Sequence, residues 1–403
     1  MFTLESVKWL ASPDGEKVLA RLAGEKLSDD HTLRLITSLR RDLSLERASA
    51  ALELARLRVK AVDKFGADAS RMFFTRDALE QASDPLIRKW RSGRNEDANQ
   101  KPSDFPMLDV CCGIGSDTLA LAERSTNVIG YDLDPVRILM AQLNAEALGS
   151  KARFEVADVT NIPLIAMHIF YDPGRRDELG NRIFDVEKYR PPLSLTNRFE
   201  CRWWLAKLSP GVDTAQLAPY RGNSYLHFVS VNGELKEALL GHDNTGGPFP
   251  TYSENAILFH EGNLLVWKRN DEAYSVISEP RQWLIEPDPA LIRAGLVADA
   301  AQKFNGTQLD ESIAYFTTDD KPESPWVRAW QILDWMPFNG KQIKAYLRER
   351  NVGTVTVKKR GTAVTPDTLI PQLKLKGSES RTLVLTRYAG QQIVMICEDY
   401  QPG

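Results

Sequence analysis

The N-terminal part of the chain, residues 1–95, has apolar residues at three- and four-residue spacing, which predicts a region of amphipathic helices. We expect one long helix here that buries a single apolar stripe, and a shorter helix over 76–82 that begins after Thr75 as its N-cap. The stripe consists of Leu45, Ala48, Leu52, Ala55, Val59 and Val62.

Beyond this helical region the pattern changes twice. In residues 96–270, short apolar runs alternate with helical segments, which predicts a Rossmann-like α/β domain with a largely parallel sheet. Residues 271–324 predict a helical linker, and residues 325–403 predict a small βαβαββ domain. Within these regions we also expect a helix over 234–239 and one over 290–304.

The stretch 106–135, PMLDVCCGIGSDTLALAERSTNVIGYDLDP, predicts a strand, a glycine turn, a helix and a second strand. Gly113 and Gly115 stand where the first strand turns into the helix, and glycine there lets a ligand approach the main chain. Asp132 ends the second strand, 23 residues after Asp109. An acidic side chain at this place usually binds ribose hydroxyls.

Two ligand classes use this geometry, dinucleotides and S-adenosylmethionine. A dinucleotide site needs G-x-G-x-x-G, because its glycines admit the pyrophosphate, and here Thr118 stands at the third glycine position. Asp109 would repel a pyrophosphate, whereas it suits the ammonium group of a methionine moiety. The sequence therefore favours S-adenosylmethionine over a dinucleotide and over a turn that binds no ligand.

The segments LDVCCGIGSDTLALA, VIGYDLDPVRILMAQLNAEALG and FEVADV resemble class I S-adenosylmethionine-dependent methyltransferases. With MFFTRDALEQAS upstream and FYDPGRRD downstream, residues 71–177 are similar to the RNA cap guanine-N2 (trimethylguanosine) methyltransferase group. The resemblance implies S-adenosylmethionine as the cofactor and a set of cofactor-binding residues. They are Phe74, Thr75, Asp109, Cys111, Gly113, Gly115, Asp117, Asp132, Leu133, Asp158 and Val159.

The loop after a predicted strand over 165–171 is where we expect the chemistry, because ligands bind beyond the C-terminal ends of parallel strands. Asp172 can accept a hydrogen bond from an exocyclic amine and Pro173 would stiffen the loop, so both are candidate catalytic residues. Arg175 and Arg176 can bind phosphate, unless this is a capping turn with solvated arginines. The cap enzymes have Pro-Pro-Trp here, and this departure argues against cap recognition.

Composition narrows the classes further. The 403 residues are 43% hydrophobic and 26% charged, as in soluble globular proteins, and the net charge of −3 argues against a protein that coats nucleic acid non-specifically. The four cysteines lack metal-ligand spacing, so we expect no metal site and no disulfide framework. With no apolar run of 18 residues and no signal peptide, we expect a cytoplasmic protein without membrane contact. The sequence indicates no oligomeric state.

The final domain resembles the THUMP-like domains attached to some RNA-modifying methyltransferases, in its element pattern and in the motif VTVKKRG. Residues 341–361 contain seven basic residues and one acidic residue, which is the electrostatic footprint of a phosphate-backbone site, although a solvated basic face has the same composition. The candidate RNA-binding residues here are Lys341, Lys344, Lys358, Lys359 and Arg360.

The sequence thus predicts an S-adenosylmethionine-dependent methyltransferase that modifies a nitrogen of a base in structured RNA, either tRNA or rRNA. Two alternatives remain open. One is a protein or small-molecule methyltransferase, and the other is a non-catalytic, cofactor-binding RNA assembly factor. Asp172 counts against the second, because cofactor binding alone does not require it.

Overall fold

The computed structural model describes residues 2–93, 104–177, 179–244 and 252–400. The chain divides into two compact units, which are Met1–Tyr225 with Ala238–Tyr252, and Leu226–Glu237 with Ser253–Gly403. The central domain predicted from the sequence ends near residue 270, whereas this division falls within residues 225–253. The boundary predicted near residue 95 lies outside the described residues.

The first unit begins with helices that serine and threonine side chains cap. Thr3, Ser12, Ser44 and Thr75 each accept a hydrogen bond from a backbone N–H in the first turn of the helix that follows. In chain order the helices of this unit are α1 (Leu4–Leu10), α2 (Pro13–Ala23), α3 (Thr32–Leu39), α4 (Leu45–Phe65), α5 (Arg76–Gln81), α6 (Pro85–Arg91), α7 (Ser116–Leu121) and α8 (Pro135–Leu148).

The long helix α4 confirms the predicted helix but only part of its predicted apolar stripe. Ala48, Leu52 and Ala55 are buried, while Leu45, Val59 and Val62 at the two ends are more than half exposed. Helices α1, α2 and α3 all pack on α4. The buried face of α4 is therefore wider than the predicted stripe and includes other apolar positions. The same hydrophobic core extends to α8, so the N-terminal helices and the α/β part share one core.

The sheet of this unit has the strand order β3-β2-β1-β4-β5-β7. The first five strands are parallel, and β7 runs antiparallel to β5. This is a Rossmann-like sheet, whose C-terminal strand ends meet along one edge. The strands are β1 (Met107–Val110), β2 (Val128–Asp132), β3 (Arg153–Val156), β4 (Leu164–Tyr171) and β5 (Phe199–Leu208), with residues Ala238 to Asp243 of β7 (Glu234–Asp243). Strand β6 (Ser224–Val231) lies mostly in the second unit.

The helix predicted over 234–239 is wrong, because this segment is the start of β7. Residues Ala238 to Asp243 pair with β5 in the register Leu208↔Ala238 to Trp203↔Asp243. The run Ala238–Leu240 is fully buried, so the backbone satisfies its hydrogen bonds through the partner strand rather than within a helix.

The second unit contains a seven-stranded sheet of order β11-β12-β10-β13-β16-β15-β14 and, outside that sheet, strand β6 and the β8–β9 hairpin. The expected order β13-α11-β14-α12-β15-β16 is confirmed, and α11 and α12 share a core with one face of this sheet. Its elements are β8 (Ser253–His260), β9 (Asn263–Trp267), β10 (Trp283–Pro287), α9 (Pro289–Arg293), α10 (Val297–Lys303), β11 (Thr307–Gln308), β12 (Phe316–Thr318), β13 (Val327–Pro337), α11 (Gly340–Glu349), β14 (Val352–Lys359), α12 (Pro366–Leu373), β15 (Glu379–Tyr388) and β16 (Gln391–Cys397).

The single helix predicted over 290–304 is two helices, α9 and α10. Gly295 between them has φ = 65°, in the left-handed region, where a helix ends. Among the described residues no helix is long and apolar enough to cross a membrane.

Candidate active site

A cavity of about 540 Å³ opens beyond the C-terminal ends of β1, β2 and β4 in the first unit. Pockets of this volume hold ligands the size of a nucleoside with a side chain. Its lining includes eight predicted cofactor residues, namely Asp109, Cys111, Gly113, Asp117, Asp132, Leu133, Asp158 and Val159. Asp172 lies in the same wall, so the predicted cofactor residues and the predicted catalytic aspartate share one cavity.

The two glycines of the turn after β1 have different functions. Gly113 has φ = 57° and a Cβ there would meet nothing within 4 Å, so its main chain is open to a ligand. Gly115 has φ = 83° and a Cβ there would lie 2.7 Å from the Phe154 ring. Gly115 therefore allows the turn to pack closely against Phe154. It was predicted to bind the cofactor, but it does not line the cavity.

We expect Gly115→Ala to lower the free energy of unfolding by about 2–4 kcal/mol, because it adds a steric clash to an unfavourable φ. Gly113→Ala is the matched control, with a positive φ but open space, and should cost about 1–2 kcal/mol. Urea unfolding without ligand measures both. Equal losses would show that contact with Phe154 does not restrict position 115.

The carboxylate of Asp132 is held in place by two backbone donors. The N–H of Gly113 donates to Oδ2 and the N–H of Asp134 donates to Oδ1, both at 2.9 Å. Each carboxylate oxygen keeps a further lone pair for a ligand hydroxyl. Leu133, which follows, is largely exposed in the cavity wall.

Asp158, after β3, is fixed in a similar way. Its Oδ1 accepts from the N–H of Thr160 at 3.0 Å, and its Oδ2 accepts from Nδ2 of Asn161 at 2.8 Å. Hydrogen bonds from Thr160 hold the pKa of this carboxyl below its usual range, so it is an ionised acceptor at neutral pH.

Asp109, at the end of β1, is a buried carboxyl with one free oxygen. The hydroxyl of Thr118 donates to its Oδ2 at 2.6 Å, while Oδ1 has no hydrogen-bond partner among the described residues. Burial raises the pKa of Asp109 to about 8, and the negative charges of Asp117 and Asp172 act in the same direction. A cation entering the cavity would satisfy the free oxygen.

Asp117, in the first turn of α7, is also buried but is paired with the guanidinium of Arg91. Burial opposes its ionisation, but the positive charges of Arg91 and Lys207 outweigh it and lower the pKa of this carboxyl. Two neighbouring aspartates thus have pKa values shifted in opposite directions.

The loop after β4 presents Asp172 to the cavity between two cations. Nζ of Lys207 donates to Oδ2 at 2.8 Å, and Nη2 of Arg175 lies 3.6 Å from Oδ1. Pro173 is buried beneath the loop and does not line the cavity, while Gly174 does. The facing wall is the proline segment 189–192, which pairs with the loop through the Gly174↔Arg190 bridge.

The structure corrects the two cofactor residues predicted upstream of the sheet. Phe74 is fully buried and packs on Phe65 in the helical core, and Thr75 caps α5. Neither lines the cavity. The cavity wall is instead formed by the helix that they position, through Ala78, Gln81 and Ala82.

The predicted RNA-binding residues after β14 are only partly available. Nζ of Lys358 donates to Oε2 of Glu286 at 2.7 Å and lies over the Trp330 ring, and Arg360 lies 3.6 Å from the same carboxylate. Lys359 is exposed. These three residues therefore do not project together, because alternate residues of a strand face opposite sides and Glu286 pairs with two of them.

Lys341 and Lys344 lie on α11 in a different basic surface. Lys344 donates to the main-chain oxygen of Gln372 in α12 at 3.0 Å. Desolvation, with the positive charges of Arg348 and Lys374, lowers the pKa of Lys344. We call Lys341, Lys344, Arg348 and Lys374 the α11–α12 basic patch.

Sequence reasoning missed Lys207 and Arg91, the cations that pair with the cavity carboxylates. No local pattern marks either residue, because each pairing depends on how distant segments pack. The His, Cys, Asp and Glu side chains of the described ranges form no group that could hold a metal ion.

Three family models match separate parts of the chain. A methyltransferase domain matches residues 107–170, a THUMP domain-like family matches residues 327–399, and a domain of unknown function, DUF8688, matches residues 3–61. The methyltransferase match covers β1 to β4, whose ends form the cavity wall. The chain is an S-adenosylmethionine-dependent methyltransferase. It has the class I Rossmann-like fold and a C-terminal THUMP-like domain.

Similar proteins agree with this. The methyltransferase is 29% identical over 348 residues to an uncharacterized S-adenosylmethionine-dependent methyltransferase of Mycobacterium tuberculosis, covering 85% of this chain and 93% of that protein. A crystal structure of a methyltransferase candidate from Porphyromonas gingivalis W83 matches with a TM-score of 0.75 at 20% identity, covering 96% and 99% of the two chains. A stretch of 59 residues is 39% identical to an uncharacterized RNA methyltransferase of Parasynechococcus marenigrum, covering 14% and 13%.

Proposed function

We propose that the methyltransferase modifies a nitrogen of a base in structured RNA, either tRNA or rRNA. The observation that carries the proposal is the position of Asp172, a carboxylate between two cations in the wall of the cofactor cavity. A carboxylate there can accept a hydrogen bond from the N–H of an acceptor base and orient the nitrogen lone pair.

The cavity residues suggest how the cofactor binds. Asp132 would accept from the ribose hydroxyls, and Asp158 from the adenine amino group. The main chain at Gly113 is open to the methionine moiety, whose ammonium would satisfy the free Oδ1 of Asp109. In this arrangement Asp109, Asp132 and Asp158 would each accept from a different donor group of the cofactor.

Methyl transfer requires the protein mainly to orient the acceptor relative to the cofactor. S-adenosylmethionine supplies an electrophilic methyl group on its sulfonium sulfur. The protein's own residues would hold the acceptor nitrogen in line with that methyl group, and the Asp172 carboxylate would accept the proton that this nitrogen loses on transfer. The buried Tyr189 and the half-buried Pro191 line the same cavity as Asp172 and would contact the acceptor.

RNA is favoured as the substrate by two features outside this cavity. The α11–α12 basic patch belongs to the THUMP-like domain, and its cations suit a phosphate backbone. The Parasynechococcus marenigrum relative is named an RNA methyltransferase. Within the loop after β4, Arg176 is exposed and is a second phosphate candidate.

Labelled transfer tests the proposal. RNA and protein from cells that lack the gene are incubated separately with the enzyme and tritiated S-adenosylmethionine. We expect label in RNA that nuclease releases and protease does not. Label in protein would favour the protein methyltransferase alternative. Cofactor binding without transfer to any fraction would favour the assembly-factor alternative.

The α11–α12 basic patch should determine the salt dependence of RNA binding. Phosphate contacts lower log K by about 0.7–0.9 per contact for each tenfold rise in salt. Replacing Lys341, Arg348 and Lys374 with alanine should therefore reduce this slope by about two to three contacts. Filter binding across a salt series measures the slope.

The matched control removes the same charge from exposed lysines of the N-terminal helices, Lys8, Lys17 and Lys60. It should leave the slope within about half a contact of the wild type. An unchanged slope in the patch variant, or an equal loss in the control, would remove the patch from RNA recognition.

A further inference from the structure

Lys207 is a lysine whose side chain lies inside the first unit, and the proposed function assigns it no role. It stands near the end of β5, and its side chain is only 4% exposed. Its Nζ donates to Oδ2 of Asp172 at 2.8 Å and to the main-chain oxygen of Gln81 at 3.1 Å. A buried ammonium is costly unless it is paired, so these two contacts fix its position.

The two partners of Lys207 both line the cofactor cavity, whereas Lys207 itself does not. Asp172 belongs to the loop after β4, and Gln81 ends α5. Lys207 thus lies outside the cavity and links two parts of its wall. One part is the loop that presents Asp172, and the other is the end of α5.

The register of β4 against β5 explains why the charged groups of Asp172 and Lys207 lie close together. Tyr171 of β4 pairs with Ala206 of β5 in the parallel sheet, so Asp172 and Lys207 occupy the next pair of positions. Because β4 and β5 are central strands, this spacing cannot change without breaking the sheet. The ammonium is therefore a fixed partner for Asp172, the first residue of a loop that the Gly174↔Arg190 bridge holds two residues further on.

We propose that Lys207 is a positioning residue that fixes the rotamer of Asp172 and turns its Oδ1 toward the acceptor. The inference rests on the proposed role of Asp172. The second contact, to Gln81, makes the same residue hold the end of α5 against the catalytic loop. Loss of Lys207 then lets the carboxylate turn toward Arg175, whose Nη2 is 3.6 Å from Oδ1.

The kinetic test uses Lys207→Met, which keeps the length of the side chain and removes its charge. We expect kcat to fall about tenfold to thirtyfold, with the dissociation constant of S-adenosylmethionine within about threefold of wild type. Lys207→Arg, which retains a donor to Asp172, should recover part of the loss. The double variant Lys207→Met with Asp172→Ala should be no slower than Asp172→Ala alone. The reason is that both changes abolish the same contact between Lys207 and Asp172.

Three results would overturn the inference. They are an unchanged kcat in Lys207→Met, a loss of cofactor affinity as large as the loss in kcat, or multiplied losses in the double variant. The second would mean that Lys207 acts through the cofactor site, where its charge also affects Asp117.

A substrate-free arm separates this inference from the proposed function. If wild-type enzyme labels no RNA, the function is wrong, and the Lys207–Asp172 coupling is judged from melting temperatures alone. The inference requires the double variant to melt well above the temperature expected from the sum of the two single losses. Additive losses would overturn it whatever the substrate is.

Discussion

Replacing Asp172 with alanine is expected to lower turnover about 100-fold while changing cofactor affinity by less than about threefold. The reason is geometric. In the proposed arrangement the cofactor's donors meet Asp109, Asp132 and Asp158, whereas Asp172, held between Lys207 and Arg175 in the same cavity, is left for the acceptor. Removing the Asp172 carboxylate should therefore disturb the orientation of the acceptor during methyl transfer, while cofactor binding stays almost unchanged.

Single-turnover rates and isothermal titration with S-adenosylmethionine measure the two quantities separately. Asp177→Ala is the control, because Asp177 lies on the same loop and accepts from the N–H groups of Leu179 and Asn181 but does not line the cavity. It should reduce kcat by less than about fivefold. Wild-type turnover in Asp172→Ala would remove this residue from the mechanism.

The stability of the cofactor-free enzyme should fall as pH rises from 5 to 8, and Asp109 should be a large part of the cause. Burial raises its pKa to about 8 in the folded state, against about 3.9 for an exposed carboxyl. The folded state then binds more protons than the unfolded state across this window. The stabilisation is complete below pH about 4 and is lost as pH approaches about 8.

The expected loss from this one group is on the order of 3–4 kcal/mol between pH 5 and 8. Urea unfolding of wild type and Asp109→Asn across this range measures it, because asparagine stays neutral and can still accept from Thr118. The difference between the two curves should change with pH. Saturating S-adenosylmethionine should reduce that change, since its ammonium favours the ionised carboxylate.

Asp117→Asn is the matched control. The cations around Asp117 lower its pKa, so this group is ionised throughout the window and its removal should shift stability by an amount that does not vary with pH. Parallel curves for wild type and Asp109→Asn would show that Asp109 is already ionised in the folded protein.

The local parts of this fold were predictable because their signals are local. Helix α8 (Pro135–Leu148) has both of its end signals beside it in the sequence, with Asp134 as its N-cap and Gly149 in the left-handed region as its C-cap. The turn at Gly113 and the acidic end of β2 at Asp132 were equally clear, since each residue type meets a backbone or ligand requirement at its own position.

The errors arose where tertiary pairing determines the structure. The segment predicted as a helix over 234–239 is the start of β7, which pairs with β5 from Ala238 onward, and nothing in those six residues shows that partner. Lys358 was assigned to phosphate, but its partner Glu286 is 72 residues away in sequence.

The same limit applies within the active site. Asp109, Asp132, Asp158 and Asp172 were predictable as cavity residues, since each lies at or just after the C-terminal end of a strand. Lys207 was not, because its contact with Asp172 depends on the register of β4 against β5. Phe74 was assigned to the cofactor on resemblance, whereas two adjacent phenylalanines more often pack in a core, as they do here.

The central claim is that the Asp172 cavity directs a methyl group onto a base nitrogen of RNA. The most direct measurement is to digest RNA labelled by the wild-type enzyme to nucleosides and identify the labelled species by chromatography and mass spectrometry. The account predicts a nucleoside with the methyl group on a base nitrogen, absent when Asp172→Ala is used. Label on ribose, on a base carbon or only in protein would contradict it.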